Sequence, residues 1–250
     1  MFPNLHLGPL SIQTAGLILL AGVWIGLTVA ERTANRYKIQ SDMLYNSVGV
    51  AFIAGILGAR IGYILKHSDI FASDPRSMIS LNLGLLDVWS GIAVGLLAIF
   101  VYGQRKKINW LNFLDATTPL FAVLCVAFPL AHLANGSGYG IPTELPWAIP
   151  LWGQLRHPTQ VYEAIAAGII LVFLLYPKRT ELFTISGMTF LVFVSMTSGV
   201  KIFFDAFRGD NIRLIANMRE SQILAWFVLA AALIAIGILS GNIYVHRSIE

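Results

Sequence analysis

The chain has 250 residues, 56% of them hydrophobic and only 12% charged, with a mean hydropathy of +0.71. Soluble domains carry roughly 25% charge, so lipid rather than water is the solvent this composition fits. The formal charge of +4 is too small and scattered for a nucleic-acid partner, and a single cysteine, Cys125, rules out an intramolecular disulfide.

Apolar runs long enough to cross a bilayer recur along the chain. The first runs from Leu10 to Ala30; no Lys or Arg precedes it and its positive charges follow it, so it reads as a retained span rather than a cleaved leader. Further spans are expected at about 43–65, 84–102, 114–134, 159–176, 183–205 and 220–240. The fold class expected is therefore all-α, a polytopic integral membrane protein of about seven transmembrane helices. It reads as a single transmembrane domain over 1–250, with loops on one side at about 66–83, 135–158 and 206–219.

Basic residues set the orientation. Arg32, Arg36, Lys38, Arg105, Lys106, Lys107, Lys178, Arg179 and Arg247 fall on one side of these spans. Lys66, Arg76, Arg156, Arg208, Arg213 and Arg219 fall on the other, and the N-terminal segment has none. The positive-inside rule then expects an outside N-terminus and a cytoplasmic C-terminus. Residues 135–158, NGSGYGIPTELPWAIPLWGQLRHP, are dense in Gly, Pro and Trp. They are expected to form a folded loop at the outer headgroup level.

A charge inside a bilayer costs roughly 3 kcal/mol on insertion scales, so each one is a candidate for function or for pairing. Arg60, Asp87, Asp115, His132, Glu163, Lys201 and Asp205 fall in or beside spans. Arg60 sits in GARIGY; it reads either as a phosphate ligand or as half of an ion pair with Glu163 or Asp87. Lys201 and Asp205 are four apart, the spacing of an intrahelical ion pair. Asp115 is expected to cap the fourth span, and Cys125 to be inert packing. The densest polar cluster is RHPTQVYE, residues 156–163, where Pro158 and Thr159 suit a helix start. Helix entry does not explain Arg156, His157, Gln160, Tyr162 and Glu163, which read as a functional site. The five histidines are dispersed, so no metal site is expected, and no cofactor.

RHPTQVYE closely resembles a hallmark of the bacterial prolipoprotein diacylglyceryl transferase family, and GARIGY resembles that family's Gly-Gly-Arg-Ile-Gly-Tyr. ANR at 34–36, LDATTPL at 114–120 and FFDAFRGD at 203–210 fall where similar stretches occur in it. The resemblance implies transfer of a diacylglyceryl group from phosphatidylglycerol to the thiol of a lipobox cysteine in a secreted precursor, with release of glycerol phosphate, in the bacterial cytoplasmic membrane. It implies His157 and Glu163 as catalytic candidates. It implies Arg60, Tyr63, Asn135, Arg156, Gln160, Tyr162, Lys201 and Arg208 as lipid or phosphate ligands. The chain departs from the family at chemical positions. FPLAHLANGSGYG, 128–140, has Pro129 in place of an arginine, His132 in place of an asparagine and Ser137 in place of a glutamate. Trp89 replaces a histidine of span three, Ala15 a tyrosine of span one, and Lys201 an arginine of span six. His132 is the residue that could take over the chemistry. The alternative is a catalytically altered relative serving as a lipid-binding subunit with other membrane subunits.

Overall fold

The computed structural model describes residues 4–7, 10–73, 85–176, 181–210 and 219–247. Among them lie eight α-helices: α1 (Thr14–Ala34), α2 (Ser41–Lys66), α3 (Ser68–Ser73), α4 (Val88–Arg105), α5 (Trp110–Asn135), α6 (Thr159–Leu175), α7 (Met188–Asp205) and α8 (Glu220–Arg247). Six of the long ones are apolar and long enough to cross a membrane. The seventh, α6, has 17 residues, about 26 Å at 1.5 Å per residue, which reaches across a hydrocarbon core only at its thinner limit. The chain is a multi-pass membrane protein. Much of the expected loops at 66–83 and 206–219 lies outside the described residues.

The helix boundaries correct the sequence reading in places. The first span starts at Thr14 rather than residue 10, because Leu10–Gln13 (β2) pairs with Asn4–Leu7 (β1) as an antiparallel hairpin. The third starts at Val88, where the Asp87 carboxylate caps the helix by accepting from the Ser90 amide at 2.9 Å.

The chain divides into two compact units, residues 38–113 and residues 1–37 with 114–250. The 38–113 unit is built on the α2–α4 pair. Small residues let the two helices approach closely. A side-chain carbon on Gly58 would run into Val94, one on Gly62 into Ser90, and one on Gly91 would lie 2.9 Å from Ala59 Cβ. Gly58→Leu is accordingly expected to split this pair, read as loss of folded protein in detergent by size-exclusion chromatography.

In the other unit α1 lies against α5. A carbon on Gly22 would be 2.7 Å from Ala127 Cβ, and one on Gly26 2.7 Å from Leu120. Ala122, Ile170, Leu174 and Phe193 form a core between α5, α6 and α7.

Asp115 overturns the expected cap of its own span. It lies five residues inside α5, fully buried, and caps α7 instead. Its Oδ2 accepts from Gly187 N at 2.6 Å and its Oδ1 from Phe190 N at 2.8 Å. The residue before α7 is Gly187, which has no side chain to do this itself. Asp115→Ala leaves two buried amides unanswered, a loss of about 1–3 kcal/mol. It is expected to lower the melting temperature by several degrees, with Asp115→Asn falling between.

Candidate functional site

One stripe from each of four helices lines a cavity of about 450 Å³ in the 1–37/114–250 unit. On α5 the stripe is Cys125, Phe128, Pro129 and His132; on α8 it is Ser221, Leu224, Ala225 and Val228. Both follow the i, i+3, i+4, i+7 pattern of one helical face. α6 contributes Glu163, Ala167 and Ile170, and α7 contributes Thr197, Ser198, Val200 and Lys201, with Arg208 just beyond it. The charged members gather at one end, with Thr197 and Ser198 about one turn deeper on α7. His132 is near the end of α5, Glu163 near the start of α6, Lys201 near the end of α7 and Ser221 at the start of α8. The helices alternate in direction, so these four residues share one end of the bundle. Seven residues further along their helices lie Cys125, Ile170 and Val228, about 10 Å deeper at 1.5 Å per residue. The cavity is thus polar at its rim and apolar at depth.

Arg208 is the best-anchored cation there, only 8% exposed. Asp210 grips one edge of its guanidinium, accepting from Nε at 3.1 Å and Nη2 at 3.2 Å. Its Nη1 lies 3.6 Å from Glu163 Oε1, beyond hydrogen-bond length, and that buried oxygen has no hydrogen-bond donor among the described residues. Burial pulls the Arg208 pKa down, but the bond and charge of Asp210, with the Glu163 charge, outweigh it and hold it above its ordinary value. Burial pushes the Asp210 carboxyl up, and Arg208 and the Gly138 amide more than reverse this, leaving it below the usual carboxylate range. Lys201 pairs with Asp205 at 2.7 Å, the intrahelical pair its spacing predicts, and Asp205 is fully buried.

The 136–158 segment folds over this end as a hydrogen-bonded loop. β3 (Ile149–Leu151) and β4 (Gln154–Arg156) pair antiparallel through Trp152 and Gly153, both at positive φ, as a two-residue primed turn requires. Trp152 Nε1 donates to Gly136 O at 3.0 Å. Gly138, at φ +68°, lies beside both His132 and Arg208: a carbon added there would be 3.2 Å from His132 Nδ1 and 3.3 Å from Arg208 Nη2. The Gly138 amide donates to Asp210 Oδ2 at 2.7 Å.

Much of RHPTQVYE builds this loop. Arg156 donates to the carbonyls of Leu151 and Gly140 and to Gln154 Oε1, and stacks over Tyr139. Thr159 and Gln160, both fully buried, donate to the carbonyls of Gly138 and Ser137 at 2.6 and 2.8 Å. Tyr162 Oη accepts from Trp147 Nε1 at 2.7 Å and lies 3.4 Å from His157 Nδ1, while the His157 ring packs on Phe207. Asn135 is exposed at the end of α5. Of the expected site residues, the cavity lining gathers His132, Glu163, Lys201 and Arg208; Asn135, Arg156, His157, Gln160 and Tyr162 are not part of it.

Arg60 and Tyr63 belong to the 38–113 unit. Arg60 donates to Leu85 O at 3.0 Å and stands over the Phe71 ring, and Tyr63 stacks on His67. Lys66 takes the ion pair with Asp87, at 2.6 Å. The Lys66 ammonium first, then the Ser90 donors, hold the Asp87 carboxyl down at about 2. A carboxyl depressed on folding contributes stability above its unfolded pKa and loses it as pH falls through the folded one. Wild type and Asp87→Asn are therefore expected to differ in melting temperature at pH 7, and the difference is expected to shrink as pH falls below about 4 and to vanish near pH 2.

Fold and cavity define a multi-pass membrane protein with a site for a ligand that is apolar along most of its length and polar at one end. A family model described as prolipoprotein diacylglyceryl transferase matches residues 4–238, and the chain belongs to that family. Similar proteins include the phosphatidylglycerol–prolipoprotein diacylglyceryl transferase of Clostridioides difficile, 27% identical over 90% of each chain. That of Finegoldia magna is 26% identical, also over 90% of each. That of Corynebacterium diphtheriae is 26% identical over 91% of this chain and 88% of its own. Two of the departures noted in the sequence, Pro129 and His132, line the cavity. Trp89 lies on α4 in the other unit, 77% exposed.

Sequence reasoning passed over Asp210. The Arg-x-Asp of FRGD is the signal for it, since a carboxylate two residues on can fold back onto the guanidinium.

Proposed function

We propose that the protein is a phosphatidylglycerol–prolipoprotein diacylglyceryl transferase of the bacterial cytoplasmic membrane, acting on a lipobox-containing precursor. The observation that carries this is the cavity: an apolar trough about 10 Å deep for lipid chains, with Lys201, Arg208, His132 and Glu163 at its polar rim. Family membership and the printed names of the relatives supply the reaction class. The precursor thiolate attacks the glyceryl carbon that carries the phosphate. A C–S bond forms, the C–O bond breaks, and glycerol phosphate departs with the bonding pair. Arg208 and Lys201 stabilise the phosphate as it takes on charge. His132 receives the thiol proton; among the described residues its ring nitrogens have no hydrogen-bond partner. Glu163 faces Arg208 and balances the rim.

In this reading the chain works as one transmembrane domain, and the rim opens on the outer face, with the N-terminus outside and the C-terminus in the cytoplasm. The excess of basic residues on the opposite side supports that orientation.

Purified protein supplied with phosphatidylglycerol and a lipobox peptide is expected to release glycerol phosphate and yield a peptide heavier by one diacylglyceryl group. No product at high enzyme concentration would sink the proposal.

A further inference from the structure

Arg208 must do two things at once: stay nearly buried, and keep one edge open to an arriving phosphate. A guanidinium has several donors in a fixed planar fork, so whatever holds one edge decides what the rest can reach. Asp210 holds the Nε/Nη2 edge with both carboxylate oxygens. The same carboxylate accepts from the Gly138 amide, which ties it to the loop beside His132. The backbone reinforces the arrangement: Gly209 N donates to Tyr139 O and Ile141 N to Phe207 O, both at 2.8 Å. The carbonyl of Arg208 itself accepts from Arg219 Nη2. What remains is Nη1, which lines up with Glu163 at 3.6 Å, too far to be consumed by it.

We infer that Asp210 is a positioning residue for the transfer. It clamps the far edge of Arg208 so that Nη1 is presented to the phosphate of the lipid instead of closing onto Glu163. This rests on the transferase reading for its substrate, and on the Arg208–Asp210 geometry for its mechanism. Without the clamp the guanidinium is free to swing to Glu163, and the phosphate meets a neutralised pair. The effect on the phosphate runs through Arg208, whereas the bond from the Gly138 amide serves the loop, and the two roles separate when Arg208 is replaced.

The test is a double-mutant cycle on Asp210→Asn and Arg208→Gln. Loss of a charge-assisted clamp is expected to raise the KM for phosphatidylglycerol by about 10–100-fold, with a smaller fall in kcat. Asp210→Glu is expected to recover most of it. In the Arg208→Gln background, Asp210→Asn is expected to change KM by no more than about twofold. Equal KM losses in both backgrounds would show that Asp210 only supports the loop and would overturn the inference. So would an unchanged KM in the single variant. If Asp210→Asn does not fold, the same cycle is run with Asp210→Glu and Asp210→Ser. If wild type shows no turnover, the transferase reading fails, and the cycle is read as equilibrium binding of phosphatidylglycerol to protein in nanodiscs. Asp210 is then judged on Kd by the same pattern.

Discussion

His132→Ala is expected to slow glycerol phosphate release by about 10²–10⁴-fold, the usual worth of a positioned base, while phosphatidylglycerol binding changes little. The expectation follows from where the ring sits. It is the last residue of the α5 lining stripe, at the polar rim, and its Nδ1 lies beside the Gly138 position that Arg208 also approaches. The proposed proton acceptor and the proposed phosphate ligand thus share one corner of the cavity. The readout is a split between kcat and binding. A variant that loses affinity for lipid but keeps kcat would move His132 from proton transfer to lipid binding. His132→Asn, which restores the residue that the family resemblance implies there, separates the two further. It keeps a polar group at the rim but no base, and should be as slow as alanine.

The second large effect is expected at Gly140. A side-chain carbon there would lie 2.5 Å from both the Cβ and the carbonyl oxygen of His157. Those are backbone-fixed atoms and cannot step aside like the tip of a flexible chain. Gly140 N also donates to His157 O at 3.1 Å, and the Gly140 carbonyl accepts from Arg156. Gly140→Ala therefore forces apart the two strands of chain that carry Arg156, His157 and the Arg208 segment. Overpacking costs of this kind run to about 1–3 kcal/mol. Here they fall on the loop over the rim, so a lower melting temperature should come with at least a tenfold loss of turnover. Gly168→Ala is the control: nothing lies within 4 Å of the added carbon, and alanine is the better helix former by about 1 kcal/mol. Equal damage from both substitutions would mean that the helices, not the loop, are what Gly140 supports.

The long helices were legible because a bilayer demands about 20 apolar residues in a row, and α1, α2, α4, α5, α7 and α8 meet that demand. Their ends were less so. Leu10 and Ile12 extend the apolar run of the helix that follows, and a run of that kind does not reveal a strand that finds a partner at Asn4–Leu7. Asp115 shows the limit of local reading. A carboxylate near the start of a span looks like that span's own cap, yet the amides it serves are 72 and 75 residues away. The RHPTQVYE cluster was visible as polar residues that helix entry does not explain. Its internal division was not. Glu163 lines the cavity, whereas Arg156, Thr159 and Gln160 satisfy carbonyls of a loop whose path only the folded chain reveals. Lys201 and Asp205 were readable because their spacing alone brings them together.

The Asp115 cap also has a consequence in time. Ribosomes add roughly 5–20 residues per second, so the 72 residues from Asp115 to Gly187 take roughly 4–14 s to make. For that interval the carboxylate is in or near the membrane before the amides it will bind exist. A lone acid at the centre of a span is penalised by roughly 3 kcal/mol on insertion scales, and Asp115, about 8 Å inside one end of α5 at 1.5 Å per residue, meets a smaller part of that. The nascent α5 is therefore incomplete by design until α7 arrives, and its arrival relieves the penalty. A chain halted before Gly187 should leave the translocon with α5 poorly inserted, and synthesis past that point should seat both helices together.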